Sequence, residues 1–313
     1  MSTLTLGAGE GSNLAEIEAR VHANHAFGSD SVDFHRVSSY HTSMRIIPVS
    51  ALDDNGLRPY RTLRRPLDHQ QEGIFVAEGE KVVQRLLSSN LTVRSMLLTP
   101  EWLETFRPVL EAMPVDVVVY VATKPLLESI VGFHLHQGIM AVATIPRPST
   151  LQEALAHARQ PSLFVAVDGL TNAENLGVLV RNCAAFSVDA LIVGETSSSP
   201  YLRRAVRNSM GTVFYLPVVH VNNLVEALHV LRNAHGVRVL AAHPHAELHT
   251  LPLVGLKNDC CIVFGSEGEG IAPHVLAACD ESFAIPMNKG VDSLNVASAS
   301  AVVLYEVVRQ RGN

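Results

Sequence analysis

The chain is 313 residues long, 47% apolar and 17% charged, with 20 Gly, 16 Pro and a formal net charge of −6. Those proportions exclude wholesale disorder, a collagen repeat and low complexity, and the length fits two domains or one large one. The acidic balance argues against nucleic-acid binding by bulk charge and leaves room for local basic patches.

Residues 1–45 read as an N-terminal extension with one short helical stretch around 14–26. Glu10, Glu16 and Glu18 sit there without an apolar core segment, and no apolar run in the chain reaches the roughly 18 residues of a membrane span. No membrane association is expected, and a cytoplasmic location is. His22, His25, His35 and His41 match no metal-site spacing and read as solvated surface. The four cysteines, Cys183, Cys260, Cys261 and Cys279, contain no C-x-x-C pair, so neither a disulfide framework nor a structural metal is expected.

Residues 46–148 alternate strand-like and helix-like segments. Strands are expected at 74–77, 93–98, 115–121 and 139–143, and helices at 78–87 and 126–131. This is the pattern of a small α/β domain. Arg61, Arg64 and Arg65 form its one dense basic cluster, which reads equally as a solvated turn or as a phosphate contact. The Pro-containing stretch 147–150 reads as a linker.

Residues 149–313 carry a second α/β pattern, with strands expected at 163–167, 190–193, 213–219, 237–241, 261–264 and 283–285 and a last helix over 296–310. Short, nearly all-apolar strands separated by helices predict a mostly parallel sheet covered on both faces. Ligands of such sheets bind beyond the carboxyl ends of the strands. Three loops stand out there. The first runs from Asp168 to Gly177 and leads into a helix with Leu176, Leu179, Val180, Cys183 and Ala184 on one face. Arg181 lies about 140° round from Leu176, outside the buried stripe, where it is either a surface cation or a partner for an anion. The second loop is Gly265-Ser266-Glu267-Gly268-Glu269-Gly270. Its G-x-x-G-x-G spacing is not the dinucleotide fingerprint, and its two carboxylates would repel a pyrophosphate, so a nicotinamide enzyme is disfavoured. The third runs from Ile285 to Asn295 and opens a helix whose first residues are small. Ser293 and Asn295 read there as helix caps or as site residues. A G-x-S-x-G nucleophile elbow is absent.

Taken together, these loops resemble the SpoU/TrmH family of RNA ribose 2′-O-methyltransferases in the SPOUT superfamily. The resemblance rests on Asn175-Leu176-Gly177 with Arg181 and Ala184-Ala185-Phe186, on Phe264-Gly265-Ser266-Glu267-Gly268-Glu269-Gly270-Ile271, and on Ile285-Pro286-Met287 through Ser293-Leu294-Asn295-Val296 to Leu304-Tyr305-Glu306. Ser209-Met210-Gly211 fits as well, and Ser187 departs from the family, which often has Gly there. Phe75-Val76-Ala77-Glu78-Gly79 and His136-Gln137-Gly138-Ile139 look like the family's N-terminal substrate-binding domain, itself similar to ribosomal protein L30e.

The resemblance implies an extension (1–45), an L30e-like RNA-binding domain (46–148) and a SPOUT methyltransferase domain (149–313) with a trefoil knot and an obligate homodimer. It implies S-adenosylmethionine held by Gly265, Ile285 and Leu294 with Met287 beside them. The catalytic set it implies is Asn175, Arg181, Glu267, Ser293 and Asn295, acting on a ribose 2′-hydroxyl of tRNA or rRNA. Arg181 matches the family's proposed general base; because guanidinium stays protonated, a phosphate-holding role stands beside that one. Phosphate contacts are expected from Arg61, Arg64 and Arg65 and from Arg203, Arg204 and Arg207. A catalytically silent RNA-binding protein of the same fold is the alternative.

Overall fold

The computed structural model describes residues 45–51, 54–113, 117–134, 137–244 and 249–312. The histidines considered in the extension, and His136, lie outside these residues. Two sheets organise the chain. The first contains β1 (Arg45–Pro48), β2 (Ile74–Glu78), β3 (Val93–Leu98), β4 (Val118–Val121) and β5 (Ile139–Thr144) in the order β1-β4-β3-β5-β2. The β1-β4-β3 ladder is parallel, and β5 runs antiparallel to both β3 and β2. Its helices are α1 (Arg58–Arg61), α2 (Pro66–Gln71), α3 (Glu80–Leu87), α4 (Pro100–Glu111) and α5 (Lys124–Val131). The sequence reading anticipated neither β1 nor α4: β1 is four residues without an alternating pattern, and α4 carries a proline at position 108.

The second sheet is wholly parallel. It contains β6 (Leu163–Val167), β7 (Ala190–Val193), β8 (Val218–His220), β9 (Arg238–Ala242), β10 (Cys260–Phe264) and β11 (Glu281–Phe283) in the order β11-β9-β10-β6-β7-β8. Every residue of β6, β7 and β10 is buried, as expected of strands covered on both faces. The covering helices are α6 (Leu151–His157), α7 (Ala173–Ala185), α8 (Arg203–Asn208), α9 (Leu224–His235), α10 (Pro273–Leu276) and α11 (Val296–Arg311).

Two strand expectations needed correction. The 213–219 segment is a 3₁₀ turn (Thr212–Phe214) followed by β8, because Gly211 at φ +79° turns the chain and Pro217 has no N–H to pair before Val218. The 283–285 strand lies earlier, at Glu281–Phe283, and beyond it Ala284 makes an isolated bridge to Thr250. One apolar cluster runs through both sheets, and the Phe75 ring lies 5.4 Å from those of both Tyr201 and Phe214.

Helix α7 shows how packing aims the site. The Asn172 side chain caps it by accepting from the Glu174 and Asn175 N–H groups at 2.9 and 3.1 Å. Leu176, Leu179, Val180 and Cys183 face the core, and Arg181 is exposed. A Cβ at Gly177 would lie 2.5 Å from the Ala205 carbonyl oxygen, so only glycine lets α8 pack this close.

Candidate active site

A cavity of about 230 Å³ opens at the carboxyl ends of β9, β10 and β11. Its walls come from Ala242 to Pro244 after β9, from Phe264 to Gly270 after β10, from Phe283, Ile285 and Met287, and from Asp292 to Leu294 with Val296 and Ala299. Phe264 and Phe283 are buried apolar surface at its base, while Glu267, Glu269 and Asp292 put carboxylates round an exposed part of its wall.

The glycine loop is a closed turn. Ser266 and Gly270 exchange backbone hydrogen bonds at 2.9 and 3.1 Å, and the Ser266 hydroxyl accepts from the Glu269 N–H at 3.1 Å. A Cβ at Gly265 would sit 2.1 Å from the Gly270 carbonyl carbon, which is why no larger residue fits. Behind the loop, the buried Asp168 carboxylate accepts from the Ala272 N–H at 2.7 Å and holds the loop's exit against β6.

Glu267 joins the three loops. Its Oε1 accepts from the side-chain amides of both Asn175 and Asn295. Asn295 also donates to Asn175 Oδ1 at 3.1 Å, while its own Oδ1 caps α11 by accepting from the Ala297 N–H at 2.9 Å. Of the residues singled out in the sequence, Gly265, Glu267, Ile285, Met287, Ser293 and Leu294 therefore share one cavity. Asn175 and Asn295 meet at Glu267. Arg181 does not line the cavity; it is exposed and has no hydrogen-bond or ion-pair partner among the described residues.

The two arginine clusters fare differently. Arg61, Arg64 and Arg65 are exposed, with Arg61 reaching the Asp54 carbonyl and Arg64 the Gly132 carbonyl. Arg203 is a correction to the second cluster. Its side chain is only 17% exposed, it is paired with the buried Glu78, and it lies 5.2 Å from the Phe133 ring centroid, so its charge is spent inside the protein. Arg207 also pairs with Glu78, at 3.1 Å, but stays 54% exposed, and Arg204 is 69% exposed beside Glu174 at 3.4 Å.

Sequence reasoning missed His243 and Pro244, which lie in the loop after β9. The strand-end rule, applied to the 237–241 segment as it was to its neighbours, would have found them. Among the described residues no group of three or more His, Cys, Asp or Glu could hold a metal ion, and no helix is long and apolar enough to cross a membrane.

A parallel α/β sheet with a glycine-loop cavity beyond its strand ends, and a polar junction at the cavity mouth, defines an α/β protein whose small-molecule site lies at the strand ends. The chain belongs to the SpoU rRNA methylase family, whose model matches residues 162–305. It is 35% identical over 265 residues to an uncharacterized tRNA/rRNA methyltransferase of Mycobacterium tuberculosis, covering 82% of this chain and 90% of that one. It is 36% identical over 199 residues to the 23S rRNA (guanosine-2′-O-)-methyltransferase RlmB of Yersinia pestis, covering 62% of this chain and 79% of the relative. The fold is that of the SpoU methyltransferase AviRb from Streptomyces viridochromogenes, solved in complex with AdoMet. The TM-score is 0.72 at 23% identity, over 82% of this chain and 99% of that one.

Proposed function

We propose that the protein transfers a methyl group from S-adenosylmethionine to a ribose 2′-hydroxyl of tRNA or rRNA. The observation that carries this reading is the junction of Glu267 with Asn175 and Asn295, which ties together three family-like loops at the mouth of the Gly265–Gly270 cavity. The cavity suits that cofactor chemically. Ile285, Leu294 and Phe283 offer apolar surface to a neutral adenine, Gly265 lets backbone approach closely, and the carboxylates of Glu269 and Asp292 suit a cationic ligand. Met287 completes the holding set. When bound, the cofactor supplies an electrophilic methyl group on a sulfonium centre.

The chain's own residues supply position and charge. Asn175 and Asn295 fix the Glu267 carboxylate, and Ser293, exposed at the rim, bonds the reacting nucleotide. Arg181 has no partner among the described residues to compete for its guanidinium and holds an RNA phosphate. It stays protonated, so it stabilises negative charge on the substrate instead of taking the hydroxyl proton. Orienting two reactants in this way can lower a barrier by about 7–11 kcal/mol.

The domain boundaries follow the same reading: an extension over 1–45, an L30e-like RNA-binding domain over 46–148 and a SPOUT domain over 149–313 with its cofactor loops in a trefoil knot. Arg61, Arg64, Arg65, Arg204 and Arg207 are the phosphate contacts. A homodimer through the last helix is supported by Val302 and Tyr305, which are 40% and 58% exposed on α11, close in sequence to the cofactor loop. A stable dimer of this kind buries more than about 1,000 Å². An RNA substrate of this class places the reaction in the cytoplasm.

The test is incubation with unmodified bacterial tRNA and rRNA and S-adenosylmethionine, followed by mass spectrometry of the nucleosides. A 2′-O-methylated nucleoside is expected, and Arg181→Ala should lose transfer while keeping cofactor affinity. Base methylation would reject the reading, and RNA binding without any transfer would identify the silent alternative. Sedimentation at micromolar concentration should give a dimer.

A further inference from the structure

A second cavity, of about 170 Å³, lies where the end of β2 and the start of α3 face the end of α8, and it shares no lining residue with the first. Glu78 and Gly79 at the end of β2, Lys81 on α3, Gln137 before β5, and Arg207 and Met210 at the end of α8 form most of its wall. Its polar groups are unevenly committed. The Glu78 side chain is 8% exposed, and its two carboxylate oxygens accept from Arg203 and Arg207. The Gln137 side-chain Oε1 accepts from the Glu80 N–H at 2.9 Å, and the Met210 backbone carbonyl accepts from Arg85. A Cβ on Gly79 would lie 3.0 Å from that Gln137 oxygen, so the glycine makes room for the amide to seat.

The acceptors are thus used up inside the protein, while donors remain. The amide hydrogens of Gln137 have no hydrogen-bond partner among the described residues, and neither does the Lys81 ammonium, which is exposed. Arg207, half exposed, keeps N–H groups beyond the one given to Glu78. In the wall itself, Arg207 and Lys81 stand against the single carboxylate of Glu78, a surplus of positive charge. A donor-rich, cationic cavity of this size selects a compact anion with several acceptor oxygens.

We propose that this cavity is a phosphodiester subsite for the RNA substrate, with Lys81, Gln137 and Arg207 as its contacts and Glu78 as the residue that orients Arg207. The inference rests on the reading of the protein as an RNA-modifying enzyme; it adds Lys81, which lies outside the family-like motifs, and gives Gln137, which lies within one, a specific contact. The site holds the RNA backbone where β2 and α3 face α8, so it fixes the position of the RNA without reading its bases.

Lys81→Ala, Lys81→Arg and Gln137→Ala in the full chain test it, with fluorescence-anisotropy binding of 23S rRNA fragments and of unfractionated tRNA at several salt concentrations. Losing one phosphate contact should cost about fivefold in affinity near 0.15 M salt and lower the logarithmic salt slope by about 0.7–0.9. Lys81→Arg should restore both, Gln137→Ala should weaken binding without changing the slope, and S-adenosylmethionine affinity should not move in any variant. Wild-type RNA binding with unchanged affinity and slope in both alanine variants overturns the subsite while leaving the methyltransferase reading intact. Inorganic phosphate is the second probe. Phosphorus-31 line broadening that Lys81→Ala abolishes, with RNA affinity unaltered, would assign the cavity to free phosphate and overturn the RNA assignment. Failure of the wild type to bind either RNA would remove the RNA reading and the subsite with it.

Discussion

The side-chain amide of Asn295 lies 3.1 Å from the Asn175 carbonyl oxygen although 120 residues separate the two in the chain. One end of Asn295 caps α11 through the Ala297 N–H; the other end bonds Asn175 and Glu267, so the start of the last helix and the polar junction share one residue.

That double use can be separated by Asn295→Asp. A carboxylate caps a helix as well as an amide does, but here it would replace a donor to Glu267 with a second negative charge. Thermal stability should stay close to wild type while methyl transfer falls about ten- to a hundredfold, equivalent to roughly 1.4–2.7 kcal/mol. Turnover near wild type would show that the junction does not serve the reaction.

Gly265→Ala places a methyl group 2.1 Å from the Gly270 carbonyl carbon, a distance that only movement of the loop can relieve. The Ser266–Gly270 pairing should open, and calorimetry should show S-adenosylmethionine affinity reduced more than about tenfold, or 1.4 kcal/mol. Unchanged affinity would mean that this loop does not hold the cofactor.

Ser187 is held at φ +58°, in the left-handed region, just past the end of α7. The family often has Gly there, and a β-carbon in this conformation costs about 1–2 kcal/mol. Part of that cost is returned by the extra chain entropy of glycine in the unfolded state. Ser187→Gly should therefore raise unfolding stability by about 0.5–1 kcal/mol in urea titration. A loss of stability would indicate that the serine side chain compensates the strain.

His69 gives a pH dependence with a definite sign. It is buried, with Nε2 3.0 Å from both the Pro59 carbonyl and the Thr62 hydroxyl, and burial pulls its pKa below the ordinary 6.5 despite Glu72 and Asp68 nearby. The unfolded chain therefore takes up protons near pH 6.5 that the folded chain refuses. Stability from this source is complete above that pH and declines as pH falls from 6.5 towards the folded value. The urea midpoint should drop between about pH 7.5 and 5.5, and His69→Gln should flatten part of the drop. A midpoint independent of pH in that window would contradict the assignment.

The strands β6, β7 and β10 and the exposed flank of α7 that carries Arg181 were all legible in the sequence. Each depends on neighbours within one or two turns or on unbroken runs of apolar side chains, and local chemistry decides both. The candidate loops were legible for the same reason, since turns and glycines mark where strands stop. What only the tertiary structure decided is which loops meet. Glu267 reaches Asn175 and Asn295 because β10 pairs between β6 and β9, and no local preference encodes that order. The same pairing brings His243 and Pro244 into the cavity wall. Likewise an arginine reads as a surface cation in any sequence, and Arg203 became an interior one only because the fold set a buried carboxylate, Glu78, against it across 125 residues. Burying such a charge is tolerable only with a partner in place, and partners so distant are chosen by packing.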